Sequence, residues 1–140
     1  MRRFSYLAMG MLWLLLGASA HAATQPEESP TVVRGAVTVS AKEAKALFDQ
    51  GVPFVDVRRD SDFEAGRIPG AVHLEINEAF NEATLLEVAA KSDKLVVYCN
   101  GPKCLRSSAA CEQAVGWGFE HVLYFRDGFP TWKASGYPIE

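Results

Sequence analysis

Short apolar segments alternate with segments of helical pattern along the chain, and this alternation limits the fold more than any other feature. Three apolar runs, PFVDV (53–57), KLVVY (94–98) and HVLYF (121–125), have the length and composition of buried strands. Shorter runs at 36–40 and 71–74 predict two more strands. Strands that alternate with helices form a mostly parallel sheet covered on both faces, so we predict a single α/β domain of about five strands.

The helices are predicted from their caps and their apolar spacing. Ser40 and Glu43 have the spacing of a capping box, and Gly51 ends the helix that begins there. Further helical patterns lie at 79–90, 105–116 and 130–135. No repeat and no second linker interrupts these elements, which agrees with one domain.

The N-terminus has the three parts of a secretory signal peptide. MRR is basic, Leu7–Gly17 is an unbroken apolar run, and ASAHAA supplies small residues at cleavage-site spacing. The run is shorter than the roughly 17–25 residues of a membrane-spanning helix, so an uncleaved anchor is the less favoured alternative and no stable membrane anchor is expected. We predict a signal peptide over 1–22 with cleavage near Ala22, a flexible leader over 23–35, a domain over 36–140, and a periplasmic or secreted protein.

Charge excludes some partners of the exported chain. Removing Arg2 and Arg3 from the 14 basic residues leaves 12 against 17 acidic residues, a net charge of −5. This balance argues against nucleic acid or an anionic membrane surface as a partner. The chain has 3 cysteines, an odd number for an exported protein, which allows either one disulfide or a free reactive thiol.

Two of these cysteines, Cys99 and Cys104, lie in the loop YCNGPKCLRSS between a predicted strand and a predicted helix. Such a pair can ligate a metal, form a structural disulfide or supply a reactive thiolate. A metal site is disfavoured, because the spacing is not that of a zinc site and the histidines at 73 and 121 are isolated. Cys111 lies within the helical pattern and is expected in the core. For Cys104 an inert thiol, a disulfide partner and a resolving thiol all remain open.

The composition of the loop favours a thiolate at Cys99. A helix N-terminus offers free N–H groups and partial positive charge, and Lys103 and Arg106 add cationic charge. Gly101 allows successive amides to point inward as an anion-binding nest, while Pro102 restricts the loop. The predicted substrate-binding loop therefore comprises Asn100, Gly101, Pro102, Lys103 and Arg106.

Three charged residues near the second strand are interpreted as scaffold. Arg58 and Glu64 have the spacing to pair across their loop. Asp56 ends its strand and is expected to accept backbone N–H groups there. We therefore predict structural support, not catalysis, for Asp56, Arg58 and Glu64.

Three ordered motifs resemble the rhodanese family. FVDVRRDSDFEAGRIPGAVHL (54–74) is similar to its Asp-x-Arg and Gly-His-Ile-Pro-Gly-Ala pattern, with Arg67 where histidine is usual. LVVYCNGPKCLRSSAA (95–110) resembles the active-site strand, loop and helix, with Cys99 at the position of the nucleophile. VLYFRDGFPTWKASGYP (122–138) resembles the closing segment. The loop between Cys99 and Arg106 is longer than the usual rhodanese loop and carries a second cysteine.

The resemblance implies a three-layer α/β/α sandwich whose five parallel strands have the order 3-2-4-5-1. It also implies a sulfurtransferase without a cofactor, in which Cys99 takes sulfur from a small sulfur-containing anion or a persulfide. The acceptor would be cyanide or a thiol, including a thiol of another protein. Two other functions stay open: a thiol-based redox enzyme or oxyanion reductase that uses Cys99 and Cys104, and a non-catalytic rhodanese-like binding module.

Overall fold

The computed structural model describes residues 28–140, so the predicted signal peptide lies outside the described residues. The strands are β1 (Ala36–Thr38), β2 (Phe54–Asp56), β3 (Val72–His73), β4 (Lys94–Tyr98) and β5 (His121–Phe125). The helices are α1 (Ala41–Asp49), α2 (Asp60–Ala65), α3 (Glu82–Val88), α4 (Arg106–Gly116) and α5 (Gly128–Ala134). Within residues 28–140, no helix combines the length and the apolar character needed to cross a membrane.

The five strands form one parallel sheet in the order β1-β5-β4-β2-β3. From the opposite edge this order is 3-2-4-5-1, so the predicted fold class and strand order are confirmed. β4 is the central strand, and it pairs with β2 on one side and β5 on the other. Loops at its carboxyl end are therefore flanked by the ends of two other strands, where parallel sheets bind their ligands.

Both faces of the sheet are covered, and the alternation of side chains along β4 decides which residues face which layer. Leu95, Val97 and the following Cys99 lie in the core beneath α3 and α4. Val96 and Tyr98 lie in the opposite core, beneath α1 and α5. Because successive side chains of a strand point to opposite faces, Cys99 is directed toward the layer that contains α4.

The predicted capping box of α1 is present. The Ser40 hydroxyl accepts a hydrogen bond from the Glu43 N–H, and the Glu43 carboxylate accepts one from the Ser40 N–H at 2.7 Å. On the same face of the sheet, Trp132 of α5 is completely buried, and its indole N–H donates to the Pro138 carbonyl at 2.7 Å. These contacts hold α1 and α5 against the sheet.

The residues immediately before β1 pack onto the domain. The Ser29 N–H donates to the carbonyl of Pro102 at 2.6 Å, and the Arg126 guanidinium donates to the Ser29 carbonyl at 2.8 Å. Val33 is 2% exposed and joins the core beneath α4. The expectation of a flexible leader therefore does not hold for residues 28–35, because this segment finds hydrogen-bond partners on the loop after β4 and at the end of β5.

Candidate active site

The loop that carries the predicted nucleophile connects the central strand to the longest helix of the described chain. Cys99 follows β4 directly and is completely buried. Gly101 has a φ of 109°, a conformation that L side chains rarely adopt, and the Cys104 N–H closes a turn onto the Gly101 carbonyl at 3.0 Å. No side chain caps the N-terminus of α4. Cys104 thus lies two residues before a helix N-terminus whose first N–H groups have no partner within the helix.

Cys99 and Cys104 are joined by a disulfide, with their Cα atoms 6.3 Å apart. The two sulfurs are not equally accessible, since Cys99 is completely buried whereas Cys104 is half-buried. The loop is therefore short enough and bent enough to let the thiols react with each other. Cys111 is the one free cysteine among residues 28–140, and it is buried in α4.

Cys111 has no part in this arrangement, as expected. Burial, with a smaller contribution from Glu112, raises the pKa of the Cys111 thiol far above its usual value. The thiol thus stays protonated and unreactive at neutral pH.

A pocket of about 410 Å³ opens beside Cys104. It is lined by residues 103–106, by Ala109 of α4, and by Ile76 and Asn77 from the connection between β3 and α3. The Arg106 guanidinium lies 3.9 Å from the Cys104 sulfur. Of the predicted binding loop, Lys103 and Arg106 line this pocket, whereas residues 100–102 do not.

The other three loop residues hold the loop in place. The Asn100 amide accepts a hydrogen bond from Arg58 at 3.2 Å and donates one to Asp62 of α2 at 3.0 Å. The Gly101 backbone forms the turn described above, and the Pro102 carbonyl accepts from the leader. Asn100 was predicted to bind substrate, but its side chain is engaged in fastening the start of the loop to α2 and to Arg58.

A buried ion pair lies under the loop. The Arg58 guanidinium donates to both carboxylate oxygens of Asp56, with a shortest distance of 2.7 Å, and both residues are almost inaccessible. The same carboxylate accepts the Tyr98 hydroxyl at 2.6 Å and the Arg58 N–H at 3.0 Å. Arg58 also donates to the Gly66 carbonyl at 2.7 Å. This network joins the ends of β2 and β4 to the segment after α2.

The environment of the network keeps Arg58 and Tyr98 in the protonated forms that donate hydrogen bonds. Burial opposes the positive charge of Arg58, but hydrogen bonding and attraction to Asp56 outweigh burial and hold the pKa of Arg58 above its usual value. Burial is also the largest cause that raises the pKa of Tyr98, and Asp56 raises it further. The phenol therefore remains a donor to the carboxylate.

The predicted pairing of Arg58 with Glu64 is wrong. Glu64 is exposed at the end of α2, and the partner of Arg58 is Asp56. Arg58 follows the end of β2, and its side chain turns back to a carboxylate two positions earlier, where water is excluded. Asp56 and Arg58 thus make contacts of the kind expected for structural support, and Asp56 accepts the predicted backbone N–H, but Glu64 takes no part.

Gly128, at the start of α5, packs against the backbone of the loop after β4. Its φ is 67°, and a Cβ there would overlap the Cys99 carbonyl oxygen and lie 2.7 Å from the Gly101 nitrogen. The close approach lets the Phe129 N–H donate to the Cys99 carbonyl at 2.9 Å. The backbone at Cys99 is thus held by α5 as well as by β4.

Gly128→Ala is expected to displace the loop that follows β4 and to destabilise the protein. The backbone conformation alone costs about 1–3 kcal/mol for a residue with a side chain, and the overlap with Cys99 adds to this. Gly136→Ala is the matched control, because Gly136 also has a positive φ, 74°, but no atom within 4 Å of an added Cβ. Urea unfolding should show a larger loss for Gly128→Ala, and equal losses would contradict the close packing at Cys99.

Residues 40–135 match the family model of the rhodanese-like domain. The chain belongs to the rhodanese-like domain family. The match covers all five helices and every strand except β1, and it includes both cysteines of the loop.

Individual relatives agree with this family. The thiosulfate sulfurtransferase GlpE of Pseudomonas savastanoi pv. phaseolicola is 35% identical over 105 residues, which cover 73% of this chain and 91% of the relative. Among solved structures, the Alr3790 protein from Anabaena sp. has a TM-score of 0.63 and 30% identity over 73% of this chain and 90% of its own. The human single-domain sulfurtransferase TSTD1 has a TM-score of 0.60 and 26% identity over 69% and 95% of the two chains.

Several residues that shape this rhodanese-like site were not singled out from the sequence. The sequence places Tyr98 at the end of a predicted strand and Gly128 within a matched motif, with no signal for their contacts in the site. The one local signal for Gly128 is its position at the start of the last helix. Ile76 and Asn77 carry no local signal, because they reach the pocket through the folding of a distant connection.

Proposed function

We propose that this protein is an exported sulfurtransferase that carries sulfane sulfur as a persulfide on Cys99. The observation that carries the proposal is the position of this residue. Cys99 directly follows the central strand, is bonded to Cys104 two residues before the uncapped N-terminus of α4, and begins a loop with two cations. The similarity to a thiosulfate sulfurtransferase supports the same activity.

The reaction needs two displacements at sulfur. In the first, the Cys99 thiolate attacks the outer sulfur of a donor such as thiosulfate, the donor's S–S bond breaks, and sulfite leaves with the electron pair. In the second, a thiolate or cyanide attacks the outer sulfur of the persulfide, and Cys99 leaves as the thiolate. The N–H groups of α4 and the cations of the loop stabilise the anionic sulfur at each stage.

The disulfide makes the activity dependent on reduction. While Cys99 is bonded to Cys104, it has no thiolate to attack a donor. The reduced protein is therefore the active form in this proposal. The transfer assay is run with thiosulfate, polysulfide or glutathione persulfide as donor and cyanide as acceptor, using protein reduced beforehand. We expect turnover by the reduced form and none by the oxidised form, and the absence of turnover with every donor would contradict the proposal.

The Cys99–Cys104 disulfide also favours a second candidate, a thiol-based redox enzyme or oxyanion reductase. In that case two electrons pass from the dithiol to an oxidant, and the disulfide is the product of each turnover. Consumption of a thiol reductant with an oxyanion or peroxide, at a rate independent of any sulfur donor, would favour this candidate over sulfur transfer.

Export is proposed from the N-terminal sequence alone. It would place the thiols in an oxidising compartment, where the disulfide forms readily. N-terminal sequencing of protein from the exported fraction tests the proposal. The expected first residue is Ala23 or one close to it, and an intact Met1 in that fraction would contradict cleavage.

A further inference from the structure

We propose that the pocket beside Cys104 admits a small anionic thiol, which reduces the disulfide by attacking the sulfur of Cys104. The inference rests on the proposed function only in that reduction restores Cys99 for sulfur transfer. The site itself is defined by an accessible sulfur, a pocket of small-molecule size and an unbalanced positive charge.

The disulfide is open to attack on one side. Cys104 lines the pocket, whereas Cys99 is completely buried and does not line it. Thiol–disulfide exchange depends on which sulfur the incoming thiolate can reach. A thiol from solvent therefore meets Cys104 first, and Cys99 becomes the leaving group.

The positive charge of the pocket favours an anionic thiol over a neutral or cationic one. Its lining has two cations, Lys103 and Arg106, and no carboxylate. Neither cation belongs to the ion pairs formed among residues 28–140. A thiol with a carboxylate would gain attraction to both, and its thiolate would approach a sulfur that already lies 3.9 Å from the Arg106 guanidinium.

The size of the pocket fits a small molecule. Its volume of about 410 Å³ lies within the range of small-ligand sites. Ile76, Leu105 and Ala109 supply apolar surface for the carbon chain of the thiol, and Asn77 supplies an amide. The walls come from two segments that are distant in sequence, so the pocket is part of the folded domain and not of the loop alone.

The disulfide is reduced in two thiol–disulfide exchange steps. The small thiolate attacks the Cys104 sulfur, the bond to Cys99 breaks, and Cys99 departs as a thiolate at the N-terminus of α4. Cys104 then holds a mixed disulfide. A second small thiolate attacks the outer sulfur of this bond, which releases a small disulfide and the Cys104 thiolate. Two thiols thus supply the two electrons.

The test uses the mature protein with its disulfide formed. It measures how fast each of three thiols, similar in size but different in charge, reduces that disulfide. 3-Mercaptopropionate is anionic, 2-mercaptoethanol is neutral and cysteamine is cationic, and the rates are compared at equal thiolate concentration. We expect 3-mercaptopropionate to react roughly tenfold faster than cysteamine, because each solvent-exposed charge pair contributes on the order of a few-fold. Lys103→Gln and Arg106→Gln should each reduce this preference.

Lys42→Gln is the control, since it removes a cation from α1 on the other face of the sheet and should leave the preference unchanged.

Iodoacetamide trapping locates the first adduct between the small thiol and the protein. Trypsin cuts after Lys103, so the two cysteines are recovered on separate peptides. We expect the small thiol on Cys104 and the alkyl group on Cys99. The reverse labelling, or rates without charge preference, would overturn the inference. Neither readout requires sulfur transfer, so a failure of the proposed activity would be seen separately.

Discussion

Cys99→Ser should abolish sulfur transfer from every donor that the reduced wild-type protein uses. The substitution removes the thiolate that the proposed mechanism requires for the persulfide, while the serine side chain fits the same buried position. The loss of turnover is expected to be on the order of 10³-fold or more, as when a covalent mechanism loses its nucleophile. The measurement is cyanide-dependent thiocyanate formation by reduced protein.

Two controls separate the nucleophile from the other cysteines. Cys111→Ala changes a buried thiol that stays protonated, and it should retain most of the activity. Cys104→Ser should remain active under reducing conditions, because in the proposed mechanism Cys99 carries the sulfur. Turnover by Cys99→Ser equal to that of wild type would overturn the assignment of Cys99.

Cys104→Ser should also differ from the wild type after oxidation. Limiting peroxide is expected to give the wild type a Cys99–Cys104 disulfide that a thiol reverses, and thus to protect Cys99 from irreversible oxidation. In Cys104→Ser, Cys99 lacks this partner and should lose activity irreversibly. Equal overoxidation of both proteins would show that Cys104 is not a resolving thiol.

Asp56→Ala should cause the largest loss of stability of any single substitution considered for this protein. It leaves the Arg58 guanidinium buried without its carboxylate and the Tyr98 hydroxyl without its acceptor. Breaking a buried pair by removing one partner costs about 3–5 kcal/mol. The measurement is the free energy of unfolding in urea.

Glu64→Ala is the matched control for this experiment, because Glu64 is the exposed carboxylate that sequence spacing had suggested as the partner of Arg58. Its removal should change stability by no more than about 0.5 kcal/mol, as at an ordinary surface position. A large loss for Glu64→Ala, or a small one for Asp56→Ala, would contradict the buried network.

The strands could be predicted because their signals are local, whereas their order followed from the resemblance to the rhodanese family. The observed bounds of β4 and β5 are those predicted, since each is a run of apolar residues bounded by polar or turn-forming ones. The helix predicted at 79–90 is shorter in the structure: it begins at Glu82, because Asn81 caps its N-terminus, and it ends at Val88, where Ala89 adopts an extended conformation. The position of Cys99 followed from its place directly after β4.

The remaining features depend on contacts that local patterns do not contain. The spacing of Arg58 and Glu64 in the sequence did not show that Asp56, and not Glu64, is buried next to Arg58. The polar composition before β1 suggested a free segment, yet its backbone bonds to Arg126 and to the loop. Gly128 acquires its role only when α5 meets Cys99 in the fold.

The most direct measurement of the central claim is the location of the transferred sulfur. Reduced wild-type protein is exposed to thiosulfate, polysulfide or glutathione persulfide, freed of donor, alkylated and digested with trypsin, which separates Cys99 from Cys104. We predict one additional sulfur atom on the peptide that contains Cys99, absent from Cys99→Ser and removed by cyanide. An additional sulfur on Cys104 or Cys111 instead, or none with any donor, would contradict it.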